Sequence, residues 1–259
     1  MSNEHIAKKK FGQNFLKDRS VLYKIVEAMP KSDNIIAEIG PGLGDLTKFL
    51  VDVNSVVAFE VDTDLCRLLK REFKKEISTS RLTLNCGDVL DAWQSELLDE
   101  TYGLVANLPY YIATNIILKA LADPNCEYLL VMIQREVAEK FSATPGEKNF
   151  SALSVIAQTV GEASIVVHVP PEAFDPAPKI DSAVLLIKKH SSRNNEAFEQ
   201  MLRVAFTQPR KTLSKNLSSC YEKESVKAAI AQLEHSPSIR PHQVPTADYH
   251  QLFKLLEKI

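Results

Sequence analysis

Long apolar runs are missing from this chain of 259 residues. The longest, such as Tyr128 to Ile133, fall far short of the roughly 20 residues that a membrane-spanning helix needs. No apolar stretch follows the lysines of MSNEHIAKKKFGQNF, so this end does not read as a secretory signal and a cytoplasmic protein is expected. Cysteine is scarce and dispersed. Cys66, Cys86, Cys126 and Cys220 include no Cys-x-x-Cys pair, which argues against a disulfide framework or a thiolate zinc site and predicts separate structural thiols. The histidines (His5, His168, His190, His235, His242, His250) are scattered, none at metal-ligand spacing from a carboxylate or cysteine, so no metal is expected. What remains, 45% hydrophobic and 25% charged, is ordinary globular composition. It excludes disordered, fibrous and collagen-like chains, and nothing in it demands more than a monomer.

The formal net charge of −2 argues weakly against a nucleic-acid partner, but the charge is unevenly spread. Over residues 1–19, Lys8, Lys9, Lys10, Lys17 and Arg19 outnumber Glu4 and Asp18. Over 188–223, Lys188, Lys189, Arg193, Arg203, Arg210, Lys211, Lys215 and Lys223 outnumber Glu196, Glu199 and Glu222. Such clusters form either a local anion-binding face or simply a solvated helix face.

Short β-rich runs alternate with amphipathic stretches through the first two-thirds of the chain. Strands are predicted over 35–39, 55–60, 81–84, 102–107, 128–134, 163–169 and 182–188, with helices near 18–29, 45–52, 64–76, 113–122, 135–142 and 151–160. That alternation indicates βαβ units and a mostly parallel sheet. Only PPEAFDPAPK separates the last two strands, and a loop without a helix suits an antiparallel pair at the sheet edge. After Lys189 the polar HSSRNN precedes four helical stretches: 195–207, 211–220, 223–234 and 246–258. The expectation is an α/β domain over 1–189 and a small all-helical domain over 190–259.

EIGPGLGDLT (38–47) follows a predicted strand and opens a predicted helix. Gly40, Gly42 and Gly44 permit a tight turn and close approach of a ligand to the backbone. A plain βα turn is the simpler alternative. The dinucleotide fingerprint places its third glycine five residues after the first, but here that place is Asp45. An aspartate at the helix start would repel a pyrophosphate. A cationic adenosine cofactor without phosphates meets no such conflict. Glu38, Glu60 and Asp88, at successive strand ends, suit the sulfonium, ribose and adenine amino group of S-adenosylmethionine. A second cluster, Asn107-Leu108-Pro109-Tyr110, ends the fourth predicted strand, where open α/β sheets bind ligands. The Asn107 amide oxygen and the Leu108 carbonyl, its residue held extended by Pro109, are two acceptors for one exocyclic amino group. Holding both hydrogens turns the nitrogen lone pair toward an electrophile, while Tyr110 offers a face to an extruded base. The alternative is an Asn-x-Pro turn with a packed tyrosine.

The motifs FGQNFL (11–16), EIGPGLGDLT, FEVD (59–62), GDVL (87–90), NLPYYI (107–112), QREVAEK (134–140), VPPEAFDPAPKIDSAV (169–184) and FTQPRKTLSKNL (206–217) extend almost end to end. In them the chain resembles the ribosomal RNA adenine N6-dimethyltransferases, and within these the KsgA type that acts on 16S rRNA. That resemblance implies a class I S-adenosylmethionine-dependent methyltransferase fold, Rossmann-like, with a helical C-terminal RNA-binding domain. It implies that Asn14 and Leu16 border the cofactor, Gly40 contacts its methionine part, Glu60 its ribose and Asp88 its adenine, and that Asn107 lies between cofactor and target; Gly42 is a further cofactor-binding candidate. Asn107, the Leu108 carbonyl and Tyr110 would position the target amine, and Phe174 would close over the target base. Arg135, Lys179, Arg210 and Lys211 are the candidate RNA contacts. The family often has two arginines before the Lys-Thr of its C-terminal motif, where this chain has Pro209-Arg210.

The expected reaction is dimethylation of two adjacent adenosines in the 3′-terminal hairpin loop of small-subunit RNA in the immature particle, with a role in subunit biogenesis. Three other readings compete: a large-subunit adenine methylase of the macrolide-resistance type, a non-catalytic assembly factor, and a nicotinamide oxidoreductase.

Overall fold

A computed structural model describes residues 8, 12–191 and 195–257. Phe11 of the first motif, the basic residues Lys9, Lys10 and Arg193, and His5 lie outside them. The elements run β1 (Phe15–Leu16), α1 (Arg19–Ala28), β2 (Ile35–Ile39), α2 (Asp45–Val53), β3 (Val56–Glu60), α3 (Thr63–Glu72), α4 (Lys74–Ser78), β4 (Leu82–Cys86), α5 (Val89–Ala92) and β5 (Tyr102–Asn107). They continue α6 (Ala113–Ala122), β6 (Cys126–Gln134), α7 (Arg135–Ser142), α8 (Ala152–Val160), β7 (Gly161–Val169), β8 (Phe174–Asp175) and β9 (Ser182–Lys189). Four helices follow: α9 (Glu196–Ala205), α10 (Leu213–Leu217), α11 (Lys223–Gln232) and α12 (Thr246–Leu256).

One seven-stranded sheet has the order β4-β3-β2-β5-β6-β9-β7. The β4, β3, β2, β5 and β6 neighbours pair in parallel, and β9 runs antiparallel to β6 from Tyr128↔Lys188 to Gln134↔Ser182. This is the expected Rossmann-like sheet with its antiparallel edge. Its central strands are buried on both faces, which is why YGLVA and YLLVMI read as unbroken apolar runs rather than alternating ones. Strand order reverses between β2 and β5, so the loops after them open a crevice at the carboxyl ends of the strands.

Two departures from the predicted elements have local causes. The helix expected over 64–76 breaks at Phe73, which leaves helical geometry at φ −104° and ψ 28° and buries its ring. The helix expected over 211–220 contracts to α10, capped by the Thr212 hydroxyl accepting from the Lys215 amide. The cysteine expectation needs correction: Cys66 and Cys86 form a disulfide, with Cα atoms 6.1 Å apart, while Cys126 and Cys220 remain thiols. The two are distant in sequence, but the β3–α3–β4 crossover lays the end of β4 beside β3, with Glu60 opposite Cys86, close to the first turn of α3.

By its contacts the chain divides into two compact units. The first holds residues 1–138 and 162–192, and the second holds 139–161 and 193–259. The helical unit therefore includes α8, which the sequence assigned to the α/β part. Val155, Ile156, Ala157 and Val160 of α8 are buried, and its Thr159 and Gln158 side chains bond His250 and Thr246 at 3.0 and 2.6 Å. The His250 ring also stacks on Phe198 with centroids 4.4 Å apart. Asn195 caps α9, its side chain accepting from the Phe198 amide at 2.9 Å.

Gly103 in β5 shows how tightly the sheet centre is filled. The Tyr128 ring of β6 occupies the space a Cβ there would need. Gly103→Ala must displace that buried ring, and a loss of about 1–3 kcal/mol in urea unfolding free energy is the expected result. Unchanged stability would show that Tyr128 has room to move.

Candidate active site

A cavity of about 260 Å³ opens at the carboxyl ends of β2, β3, β4 and β5. Its walls include the segment Gly12–Leu16, the turn Gly40–Leu43, and the stretch Asn107–Ile112. Asn14, Leu16, Glu38, Gly40, Gly42, Glu60, Asp88, Asn107, Leu108 and Tyr110, all singled out from sequence, meet there.

The glycine turn is shaped by what presses on it. Gly42 has φ 61°, and a Cβ on it would come within 3.1 Å of the Phe15 ring. Gly44, at φ 83°, leaves no room beside the buried Phe73 ring and opens α2 in a left-handed conformation that disfavours other residues. Glu60 holds the turn from the next strand: one carboxylate oxygen accepts the Gly42 amide at 3.1 Å, the other the Asp62 amide at 2.9 Å. Burial raises its carboxyl above the usual range, and those amide bonds work in the opposite direction. Two bonds leave further lone pairs on the carboxylate for a diol.

Glu38 is only 1% exposed, and Thr47 of α2 donates to it at 2.7 Å. Burial pushes its carboxyl up to about 8, the Thr47 bond opposing and the charge of Glu60 adding to the rise. Asp88 is exposed and caps α5, accepting the Leu90 amide at 2.9 Å. Asp45 begins α2, as the spacing implied, and pairs with Lys17 at 2.6 Å.

The Asn107 side chain donates through Nδ2 to the Asn14 carbonyl at 3.1 Å. Only an N–H can face a carbonyl oxygen, so this bond fixes the polarity of the amide and leaves Oδ1 as the acceptor. The Leu108 amide is held by the Met132 carbonyl at 3.1 Å, while its own carbonyl has no hydrogen-bond partner among the described residues. Tyr110 is half-buried and bonds Ser182 through its hydroxyl at 2.7 Å.

Phe174 is not brought to the cavity. It sits opposite Leu16 in a two-stranded antiparallel pairing of β1 and β8, is 5% exposed, and backs Leu16 from the core side. Among the candidate RNA contacts, Arg135 pairs with Asp181 at 2.7 Å in the first unit, where Lys179 is exposed. Arg210 and Lys211 are exposed in the second unit. Three contributors went unrecognised in the sequence. Gln13 donates to Asp62 at 3.1 Å, Lys8 reaches Asp62 at 2.7 Å, and Thr47 binds Glu38. Gln13 and Thr47 lie inside motifs already conspicuous, and only their partners were hidden.

A family model described as ribosomal RNA adenine dimethylase matches residues 4–258. The ribosomal RNA small subunit methyltransferase A of Sulfurimonas denitrificans is 67% identical over 254 residues, covering 98% of this chain and 95% of that protein. Its counterpart of the same name from Aliarcobacter butzleri is 48% identical, covering 95% of each. Among solved structures, the 23S rRNA methyltransferase ErmE superposes with a TM-score of 0.74 at 26% identity, covering 94% of this chain and all (100%) of that one. A dimethyladenosine transferase from Plasmodium falciparum shares the fold, with a TM-score of 0.78 at 24% identity over 94% of this chain and 98% of that one. With the class I methyltransferase sheet and a cavity walled by the motifs that define the resemblance, the chain belongs to the ribosomal RNA adenine dimethylase family, enzymes whose methyl donor is S-adenosylmethionine.

Proposed function

We propose that this chain dimethylates two adjacent adenosines in the 3′-terminal hairpin loop of small-subunit RNA, on the immature particle, as a monomer in the cytoplasm. One observation carries the reading. The cavity walls include four acidic side chains, Glu38, Asp45, Glu60 and Asp88, and among the described residues no lysine or arginine, and they lead to an amide whose oxygen is left to accept. Such walls repel a pyrophosphate and suit a cationic nucleoside, which favours S-adenosylmethionine over a nicotinamide dinucleotide. The small-subunit names of the relatives from Sulfurimonas denitrificans and Aliarcobacter butzleri support that substrate over large-subunit RNA.

The residues present fit the donor. Glu38, buried with a neutral hydroxyl as its hydrogen-bond partner, gains from a nearby cation; Glu60 has lone pairs for the ribose hydroxyls; exposed Asp88 can accept from the adenine amino group. Gly40 and Gly42 leave backbone open to the methionine part, with Asn14 and Leu16 at its border. When bound, the donor supplies an electrophilic methyl carbon on a positively charged sulfur.

The chain's own work is orientation. An adenine amino lone pair is delocalised into its ring and is a weak nucleophile. In the first transfer Asn107 Oδ1 and the Leu108 carbonyl accept its two hydrogens, and in the second one of them accepts the single hydrogen left, which favours a pyramidal nitrogen whose lone pair is free to attack. Tyr110 stacks on the extruded base, a contact typically contributing about 1–3 kcal/mol. The proton leaves after transfer, so no side chain needs a strongly shifted basicity. Arg135, Lys179, Arg210 and Lys211 supply charge for RNA phosphates.

The deciding assay is methyl transfer from labelled S-adenosylmethionine to small-subunit particles lacking the modification, with large subunits as the parallel substrate. Dimethyladenosine in the small-subunit RNA alone is expected, and its absence overturns the reading. Asn107→Ala should keep particle binding within a few-fold while turnover falls on the order of 100-fold or more. Equal turnover in variant and parent removes Asn107 from the chemistry.

Glu38 also predicts a pH dependence. The folded protein holds its proton up to about 8, whereas the unfolded chain releases it near the ordinary 4.5. This contribution to stability is full below that lower value and declines as pH rises through the window, because the folded state alone keeps the proton. Glu38→Gln, which preserves an acceptor for Thr47, should flatten the decline. Its melting temperature should gain on the parent by several degrees, on the order of 3–6 °C, between pH 5.5 and 8.5. Parallel melting curves across that range would show that Glu38 is ionised in the folded protein.

A further inference from the structure

Apart from Lys179, the motif PKIDSAV has no role in the reaction as derived so far, yet its Ser182 bonds a residue of the target site. Ser182 is the first residue of β9 and is fully buried, at 0% exposure. Its hydroxyl lies 2.7 Å from the hydroxyl of Tyr110 and outside the cavity wall that Tyr110 helps to form. We propose that Ser182 is a positioning residue for methyl transfer, fixing the Tyr110 ring in the orientation that stacks the target adenine.

Geometry supports this at both ends of the bond. Tyr110 follows Pro109 at the exit of β5, and no hydrogen bond other than that to Ser182 reaches its side chain among the described residues. A tyrosine side chain turns about two torsions. A single bond at the far tip of the ring, 2.7 Å long and anchored on a fully buried serine, restricts both together. Burial raises the Tyr110 phenol, so the group stays protonated and keeps its capacity to donate. Ser182 is itself held: it pairs with Gln134 in the β6–β9 ladder. Its neighbour Asp181 accepts the Arg135 amide at 3.0 Å and the Arg135 guanidinium at 2.7 Å. The bond also commits the hydroxyl away from the target, so that Tyr110 meets the base with its ring rather than competing for the N6 hydrogens.

The inference rests on the proposed adenine N6 methylation, and the test separates the two. Parent, Ser182→Ala, Tyr110→Phe and the double variant are compared on unmodified small-subunit particles, with S-adenosylhomocysteine affinity and melting temperature measured alongside. Each single change is expected to lower kcat about 10-fold, with KM for the particle and S-adenosylhomocysteine affinity within about twofold of the parent. The double variant should be no slower than either single one, because both remove the same bond. Ser182→Thr, which retains a hydroxyl, should recover most of the rate. Losses that multiply in the double variant, or a parental kcat in either Ser182→Ala or Tyr110→Phe, overturn the inference. Should Ser182→Ala fail to fold, Tyr110→Phe and Ser182→Thr decide it: a parental rate in the first, or no recovery in the second, overturns it. A parent that yields no dimethyladenosine overturns the underlying reading and the inference together.

Discussion

A carboxamide is nearly symmetric in shape and opposite in chemistry at its two ends, so an asparagine that must accept hydrogens has to be told which way to face. Here the instruction is the bond from Asn107 Nδ2 to the Asn14 carbonyl. It joins the exit of β5 to the segment entering β1, and the rest of the site is arranged to keep that carbonyl in place. Gln13 and Lys8 hold the segment to Asp62 beyond β3, and Lys17 holds its far side to Asp45 at the start of α2. The ties end on two acids, Asp62 just past β3 and Asp45 at the start of the helix after β2, so the parallel register of those two strands sets their reach.

Acids at the ends of these strands also give the cavity its chemical bias. Removing a carboxylate from water is costly unless something compensates it, and the chain compensates each acid differently. Asp62 receives Lys8, Glu60 receives two backbone amides, and Glu38 receives one hydroxyl and holds its proton instead. Glu38 therefore stands as the wall group that a bound cation would change most. That gradation from paired to unpaired acids is a more specific feature than the glycine turn, which many βα units share.

Much of this was readable beforehand. The alternation of β-rich runs with helical stretches marked a mostly parallel sheet, and in β5 and β6 a strand covered on both faces has no solvent side to alternate toward. The residues that meet at the cavity were legible because strand ends in such sheets converge, whatever the intervening loops do. What escaped depended on long-range placement. Cys66 and Cys86 gave no spacing signal for their disulfide, Phe174 turned inward when β8 paired with β1, and Ser182 looked like an ordinary strand residue until its partner 72 positions away was seen. α8 was recognised as a helix but assigned to the wrong neighbours. Periodicity reveals that a face is apolar without revealing which surface covers it.

That last feature bears on how the molecule can be divided. The helical unit is assembled from an internal stretch of 23 residues, Glu139–Gly161, and a later piece from Arg193 onward, so its packing is complete only after almost the whole polypeptide has been made. Truncation after β9 would strand α8, whose Val155, Ile156, Ala157 and Val160 are buried, without α9 and α12, the helices it contacts. The excised α/β part would carry a sticky apolar helix, and the missing tail would lack a packing partner of α9 and α12. Swapping helical units between relatives thus requires two exchanges in the gene, made together.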